Sequence, residues 1–336
     1  MERIKGLREY VETKEFKASL GFTKDIDVKY ELLAQGEYNI NYIFTHPLTN
    51  EKLILRVNTA SQMHLENQIQ YEYDALKNLE VSGRTPRVYF VDGSKSNLDY
   101  GILVMEFLEG KALDYRRDLD IAATCLADIH SVRLGHNHNL ISPKNPFEEI
   151  VSECEAMFEV YKNSKLAETT KVAKIERMLS VVNEKMSRVE SYEGYRCCIN
   201  TELNSSNFLI NGKDYDNYII DWEKPLFADP AQDLGHFLAP TTTFWKTDVI
   251  LEKAQIEKFI NQYIFEVDNR FDVGNLEERV KLYIPANCLR GITWCAMAWT
   301  QYSEDSKLIR NEDTFKKLEQ YLDYKFLDMI ECEFLI

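Results

Sequence analysis

The residues most suggestive of chemistry lie in two short polar stretches, each of which follows an apolar run. Glu202 comes shortly after the first run, and Asn207 stands five positions further along the chain. The second run ends directly on Asp221. Transfer of a phosphoryl group needs a side chain that orients the acceptor hydroxyl and metal ions that neutralise the phosphate oxygens. Glu202 is therefore the candidate catalytic residue, and Asn207 and Asp221 are the candidate magnesium ligands.

Hydrophobic periodicity divides the chain into a strand-rich part and a helical part. Strands are predicted at residues 30–33, 41–45, 52–57, 87–91 and 101–107, with a helix at 67–79 between the third and fourth strands. Beyond Gly110 helices are predicted at 121–132, within 147–191 and onward to the C-terminus, interrupted by short strands at 197–200 and 218–221. We therefore predict a bilobal α+β fold. Residues 1–108 would form a small lobe with a five-stranded antiparallel sheet and one helix, and residues 109–336 a larger, mainly helical lobe.

Composition and charge limit the classes of function. The 336 residues carry a formal net charge of −15, which argues against broad binding to nucleic acid or to an anionic membrane. The N-terminal residues lack the apolar segment of a secretory signal, and apolar runs are too short for a membrane span. The cysteines are scattered without metal-type spacing, which is typical of reduced thiols in a cytoplasmic protein. The sequence leaves the oligomeric state open.

The two polar stretches resemble motifs of the aminoglycoside phosphotransferase and choline kinase group, whose members have a protein-kinase-like fold. The group's loop usually reads His-Gly-Asp-Leu-x-x-x-Asn, and Leu203 and Asn207 match it here. The group's Ile-Asp-Trp strand end recurs at residues 220–222. Residues 229–234 read Asp-Pro-Ala-Gln-Asp-Leu and resemble a further motif of the group, whose carboxylates we expect to be buried and to stabilise the loop.

The resemblance also implies a site for ATP or GTP, with Mg²⁺, between the two lobes. Gly36 and Asn39 would belong to the loop that covers the nucleotide. Arg56, on the third strand, would contact the phosphates and pair with Glu72 on the following helix. The backbone of the hinge between the lobes would bind the adenine base, and its residues are Glu106, Phe107 and Leu108.

Three consecutive loop positions depart from the group's pattern. Asn200 replaces His, Thr201 replaces Gly and Glu202 replaces Asp. Asn200 can still form hydrogen bonds with the loop backbone. The extra methylene of Glu202 moves its carboxylate by about 1.5 Å, and a misplacement on this scale can lower a rate by about 100-fold. None of the three departures removes a predicted metal ligand.

The expected reaction is transfer of the γ-phosphate of the nucleotide to a hydroxyl group of a small molecule. The acidic composition suits a cationic acceptor, such as an aminoglycoside or a choline-like amine. Two alternatives remain, namely a pseudokinase that binds nucleotide and regulates a partner protein, and a nucleotidyltransferase. The aromatic residues Trp294, Trp299 and Tyr302 form either core packing or a cation–π pocket. Structural roles are predicted for His130, Glu223 and Asp233.

Overall fold

The smaller lobe is built on an antiparallel sheet with the strand order β1-β2-β3-β5-β4. A computed structural model of the protein describes residues 3–22, 26–61, 63–187, 194–304 and 312–335. Two short helices precede the sheet, and a longer helix connects its third and fourth strands. The elements in chain order are α1 (Leu7–Val11), α2 (Lys14–Ser19), β1 (Tyr30–Gln35), β2 (Asn39–Thr45), β3 (Lys52–Asn58), α3 (Gln68–Leu79), β4 (Val88–Asp92) and β5 (Gly101–Glu106).

Strand β3 separates two environments. Leu53, Leu55 and Val57 point to one face of the sheet, where they are buried together with residues of α1 and α2. Ile54 and Arg56 alternate with them and face the other way, since successive side chains of a strand point to opposite faces. This alternation delivers Arg56 into the cleft between the lobes.

The larger lobe is mainly helical, and its helix α10 packs against α5, α7 and α6. Pro285 lies inside α10, within a continuous run of buried residues. The helices are α4 (Leu119–His130), α5 (Pro146–Lys162), α6 (Thr169–Met186), α7 (Pro230–Leu238), α8 (Pro240–Thr247), α9 (Lys253–Val267), α10 (Leu276–Ser303), α11 (Glu312–Tyr321) and α12 (Tyr324–Ile330).

Four very short strands at the face of the larger lobe position the polar loops. Strand β6 (Cys197–Ile199) pairs with β9 (Leu226–Ala228), and β7 (Phe208–Leu209) pairs with β8 (Tyr218–Ile219). A single 3₁₀ turn, Ser205–Asn207, precedes β7. Because both pairs are antiparallel, the loop that follows β6 and the loop that follows β8 lie side by side.

The predicted bilobal α+β fold is confirmed, and most predicted elements lie within two or three residues of the observed ones. Strands β7 and β9 were not predicted, because two or three residues are too few to show an alternating pattern. The division of the chain at residue 108 stays a prediction, and the end of the predicted helical range at 188–191 lies outside the described residues. In the described part of the chain, no helix is long and apolar enough to cross a membrane.

Candidate active site

The backbone of the loop that follows β6 is hydrogen-bonded to a buried carboxylate. Asp233, on α7, accepts hydrogen bonds from the backbone N–H groups of Asn200 and Thr201, each at 2.7 Å. Helix α7 is in turn capped by Asp229, which accepts a hydrogen bond from Ala231 N–H at 2.9 Å. The loop-stabilising role predicted for the Asp-Pro-Ala-Gln-Asp-Leu motif is therefore confirmed.

The side chain of Asn200 connects the two polar loops. Its Nδ2 donates to the backbone carbonyl of Asp221 at 2.7 Å, and its Oδ1 accepts from the backbone N–H of Glu202 at 3.1 Å. The hydrogen bonding that we expected of Asn200 is thus present. It fixes the backbone of Glu202 relative to that of Asp221.

Thr201 and Asp221 both have left-handed backbone conformations, with φ values of 72° and 69°. A β-branched residue rarely adopts such a conformation, and glycine, which the family pattern has at position 201, adopts it freely. The hydroxyl of Thr201 donates to the backbone carbonyl of Lys224 at 2.8 Å. This hydrogen bond, together with the one to Asp233, holds Thr201 in its strained conformation.

The two predicted metal ligands are adjacent. Asn207 Nδ2 lies 3.4 Å from Asp221 Oδ2, and the backbone N–H of Ile220 donates to the carbonyl of Asn207 at 2.8 Å. Asn207 Oδ1 accepts from the N–H of Asn204 at 3.1 Å. A carbonyl oxygen has two lone pairs, so Oδ1 can also contact a cation.

The donor set fits Mg²⁺ better than a metal held by protein alone. Among the residues that the structure describes, no group of three or more His, Cys, Asp or Glu side chains could hold a metal ion. Mg²⁺ is usually bound through one or two carboxylates together with waters and substrate phosphates. The pair Asn207 and Asp221 therefore suits a magnesium ion that arrives with a nucleotide.

A buried cluster of charges lies above this pair, on the side of the sheet. Arg56 forms an ion pair with Glu72, and its Nη1 lies 3.6 Å from Glu223 Oε1. Asn39, at the start of β2, donates to the same carboxylate of Glu223. Burial raises the pKa of Glu223 to about 8, and the nearby Asp221 adds to this shift. The predicted pairing of Arg56 with Glu72 is present, and Asn39 joins the same cluster.

The prediction of a purely structural role for Glu223 was incomplete, because its carboxylate belongs to the charge cluster beside Asp221. Its position, two residues beyond Asp221, was the available signal. His130 and Asp233 do have the predicted structural roles. Both are fully buried, and His130 Nδ1 lies 2.8 Å from the hydroxyl of Tyr263.

A cleft of about 530 Å³ extends from this charge cluster to the hinge. Its walls include Arg56, Glu72 and Asp221, together with all three predicted hinge residues. The backbone N–H groups of Glu106 and Phe107 already donate to the carbonyls of Arg87 and Lys52. Of the three hinge residues, Leu108 therefore remains the candidate donor to an adenine base. Gly36 lies apart from these walls, in the turn between β1 and β2, where its N–H donates to Asn39 O at 2.9 Å.

Glu202 lies on the other side of the loop, next to two cations. Its Oε1 is 3.5 Å from Nη2 of Arg290 and 3.8 Å from Nζ of Lys224. Arg290 also forms a bidentate pair with Glu153, with Nε–Oε2 and Nη2–Oε1 distances of 2.8 and 3.3 Å. Burial alone would raise the pKa of Glu153, but Arg290 and Lys224 lower it below its ordinary value. Glu202 is therefore part of a network with two carboxylates and two cations.

A second pocket, of about 230 Å³, opens beside Glu202. Residues from α7, α8 and α10 line it, and among them are His236, Trp245, Arg290 and Trp294. It is the candidate site for a phosphoryl acceptor, and we call it the acceptor pocket. Our sequence reasoning missed Arg290 and His236, since nothing in the local sequence connects them to the loop. Of the predicted aromatic group, Trp294 lines this pocket, whereas Trp299 and Tyr302 pack in the core, so the three do not form one cation–π pocket.

Comparison with known proteins agrees with this architecture. The model of the phosphotransferase enzyme family matches residues 29–269. A protein of Ralstonia eutropha assigned as an aminoglycoside phosphotransferase superposes with a TM-score of 0.70 at 12% identity, over 96% of this chain and 97% of that one. Choline kinase of Cryptosporidium parvum gives a TM-score of 0.66 at 13% identity, over 98% and 97% of the two chains. Spectinomycin phosphotransferase, whose structure contains ADP and spectinomycin, gives 0.64 at 13%, also over 98% and 97%.

The fold and the site define a protein of the kinase-like phosphotransferase class. The family match covers well over half of the chain, and the chain therefore belongs to the phosphotransferase enzyme family. The family and its structural relatives support a transferase that acts on a small molecule. They do not support the pseudokinase alternative.

Proposed function

We propose that the protein binds ATP or GTP with Mg²⁺ and transfers the γ-phosphate to a hydroxyl group of a small molecule. The observation that carries this proposal is the position of Asn200, which ties the backbone of Glu202 to that of Asp221. One carboxylate is thereby presented to the acceptor pocket and the other to the nucleotide cleft. Phosphoryl transfer depends mainly on such positioning and on electrostatic stabilisation.

Each residue has a definite task in this proposal. Leu108 binds the adenine base, and the loop that contains Gly36 and Asn39 covers the nucleotide. Arg56, held by Glu72, contacts the phosphates. Asn207 and Asp221 hold Mg²⁺, which neutralises charge on the phosphate oxygens when it is bound. Of these residues, only Arg56, Asn207 and Asp221 act on the transferred phosphoryl group directly.

Glu202 acts on the acceptor. Its carboxylate accepts a hydrogen bond from the acceptor hydroxyl, points the oxygen lone pair at the γ-phosphate and takes the proton as the new P–O bond forms. The bond between the γ-phosphorus and the β–γ bridging oxygen breaks in the same step, and the nucleoside diphosphate leaves. Lys224 and Arg290 fix the direction of this carboxylate from behind. The longer side chain of Glu brings its carboxylate within reach of these two cations.

The test is magnesium-dependent binding of ATP, measured by isothermal titration calorimetry. Asp221→Ala should abolish it, because the substitution removes the main metal ligand and little packing. Asp214→Ala is the matched control, since Asp214 is exposed and lies in the loop just before β8. Unchanged magnesium-dependent affinity in Asp221→Ala would contradict the metal assignment. Analysis of the products then separates the reactions, because nucleotidyl transfer does not release ADP.

A further inference from the structure

The acceptor pocket is small and has a closed rear wall. Its volume of about 230 Å³ is below the roughly 300–1,000 Å³ of pockets for drug-sized ligands. Arg290 and Asn287 form a wall that it shares with a second cavity of about 300 Å³. Since Arg290 is pinned to Glu153 on the far side of this wall, the two cavities stay separate. The pocket therefore encloses about one ring of an acceptor.

The charges around the pocket cancel. Glu202 and Arg290 are the charged side chains in its wall, and Glu153 and Lys224 complete the network behind them. Two carboxylates and two cations give this network a net charge of zero, although the whole chain has a net charge of −15. A polycationic molecule would meet Arg290, with Lys224 behind it, beside the carboxylate that must orient its hydroxyl. Like charges at such short range repel strongly where the surroundings are poor in water.

The tryptophans do not offset this repulsion for an amine. Trp294 follows Arg290 by one helical turn on α10, so the two side chains are neighbours on one face of the helix. A cation over the ring of Trp294 would therefore lie close to the guanidinium of Arg290. Trp245 already has a cation beside it, since Lys246 Nζ lies 5.9 Å from its ring centroid. Its ring also meets Trp294 edge to face, at a centroid distance of 5.3 Å and an angle of 87°, so the two perpendicular rings form an apolar corner of the pocket.

His236 presents a hydrogen-bond acceptor to the pocket. Asn287 donates its Nδ2 to Tyr283 O at 2.9 Å, so its Oδ1 accepts from His236 Nδ1–H at 3.0 Å. The lone pair of this ring is consequently on Nε2. Burial, assisted by Arg290, lowers the pKa of His236 to about 4, and the ring is neutral near pH 7. A neutral Nε2 binds a hydroxyl donor, and the guanidinium of Arg290 supplies a donor to a hydroxyl or ring oxygen.

We propose that the acceptor is an uncharged polyol, which places one sugar-sized ring in the pocket, packs on Trp294 and forms hydrogen bonds with His236 and Arg290. This inference rests on the proposed phosphotransferase function and deepens it. Arg290 and Lys224 determine specificity, because they make the pocket neutral and exclude polycationic acceptors. The cationic acceptor suggested by the net charge of the chain is thereby replaced by an uncharged one.

The first experiment measures ADP release with saturating Mg·ATP and a panel of acceptors. The uncharged members are ribose, glucose, galactose, mannose, myo-inositol and glycerol, and the cationic members are kanamycin and choline. At least one uncharged compound should raise ADP release 10-fold or more above the rate without acceptor, and neither cation should. Turnover of kanamycin or choline, or of no uncharged compound by protein that binds Mg·ATP, would overturn the inference. Absence of Mg·ATP binding would instead remove the proposed function on which it rests.

The second experiment changes the charge of the network. Lys224→Gln leaves it with an excess negative charge, and kanamycin affinity measured by calorimetry should rise about 10-fold or more and fall again with added salt. Lys281→Gln is the matched control, because Lys281 is exposed and pairs with Glu277 on the surface of α10. Arg290→Gln should have the same effect as Lys224→Gln if its melting curve shows that it folds. Tight kanamycin binding by the unmodified protein, or no gain in Lys224→Gln, would refute the role of the cations.

The third experiment tests the apolar contact with Trp294. Trp294→Leu should raise the KM for the accepted polyol about 10-fold, with a smaller change in kcat, because it removes a contact made outside the reacting atoms. Trp299→Leu is the control, since Trp299 is on the same helix but packs against Tyr161, away from the pocket. It should lower the melting temperature and leave KM unchanged. Equal KM effects of the two substitutions would show that Trp294 acts through stability alone.

Discussion

The substitution Glu202→Asp, which shortens the side chain by one methylene, distinguishes two hypotheses. Either the site is adapted to glutamate, or it is the site of a kinase that has lost its catalytic aspartate. The backbone around Glu202 is fixed by Asn200 and Asp233, so the loop cannot advance to compensate for a shorter side chain. In Glu202→Asp the carboxylate withdraws by about 1.5 Å. Its present distances of 3.5 Å to Arg290 and 3.8 Å to Lys224 would then exceed the range of an ion pair.

The expected effect on stability is small and the effect on turnover is large. The side chain of Glu202 is 35% exposed, so each of its ion pairs contributes no more than about 1 kcal/mol. Misplacement of the carboxylate by this distance should lower kcat by about 100-fold. Glu202→Gln keeps the length and removes the proton acceptor, and a fall of about 10²–10⁴-fold is expected. Neither substitution touches Asn207 or Asp221, so ATP affinity should stay within about twofold of the original, a difference of less than 1 kcal/mol.

The assay measures steady-state ADP release with saturating Mg·ATP and an acceptor identified from the panel. Glu149→Asp serves as a control, because Glu149 lies in the neighbouring cavity and outside the four-residue network. It should leave kcat unchanged. Equal or higher turnover in Glu202→Asp would refute an adapted site and indicate a decayed kinase in which Asp is the better residue. Equal turnover in Glu202→Gln would exclude the role of Glu202 as the base.

Two further predictions concern buried charge. Arg56→Met should lower the free energy of unfolding by about 3–5 kcal/mol, because it leaves Glu72 buried without its partner. Combining it with Glu72→Leu should restore most of this loss in urea titrations, and an equal loss in the double variant would contradict the prediction. His236 has a pKa of about 4 in the folded protein and an ordinary pKa near 6.5 when unfolded. Its contribution to stability is therefore present above pH 6.5 and is lost as the pH falls towards 4, by up to about 3 kcal/mol. In His236→Asn the difference in unfolding free energy between pH 7.5 and 5 should shrink, and an unchanged difference would be evidence against a neutral His236.

The features that could be predicted from the sequence are those that depend on residues close together in the chain. Asn207 and Asp221 each belong to a local motif, and the two strands that position them are joined by a short connection. Arg290 is 88 residues beyond Glu202, and the contact between them depends on how α10 packs in the lobe. Its signal in the sequence is one charged residue within the otherwise uncharged stretch 282–303 of α10. The same limit applies to the charge of the acceptor pocket, because net charge says nothing about which side chains converge on one cavity.

The three departures from the family's loop pattern are connected to one another in the structure. Asn200 donates to the carbonyl of Asp221 and accepts from the backbone of Glu202. Thr201 adopts a conformation that costs a β-branched residue about 1–3 kcal/mol, and its hydroxyl is bonded to the carbonyl of Lys224. The side chain of Lys224, in turn, lies beside the carboxylate of Glu202. Loss of function removes selection on such contacts, and three independent replacements would not be expected to form one network that ends on the acceptor carboxylate. The strained backbone of Thr201 supports the same conclusion. Glycine at this position would remove the strain, but it would also remove the hydrogen bond to Lys224. These contacts favour a loop that has been rebuilt around glutamate over one that has lost its aspartate.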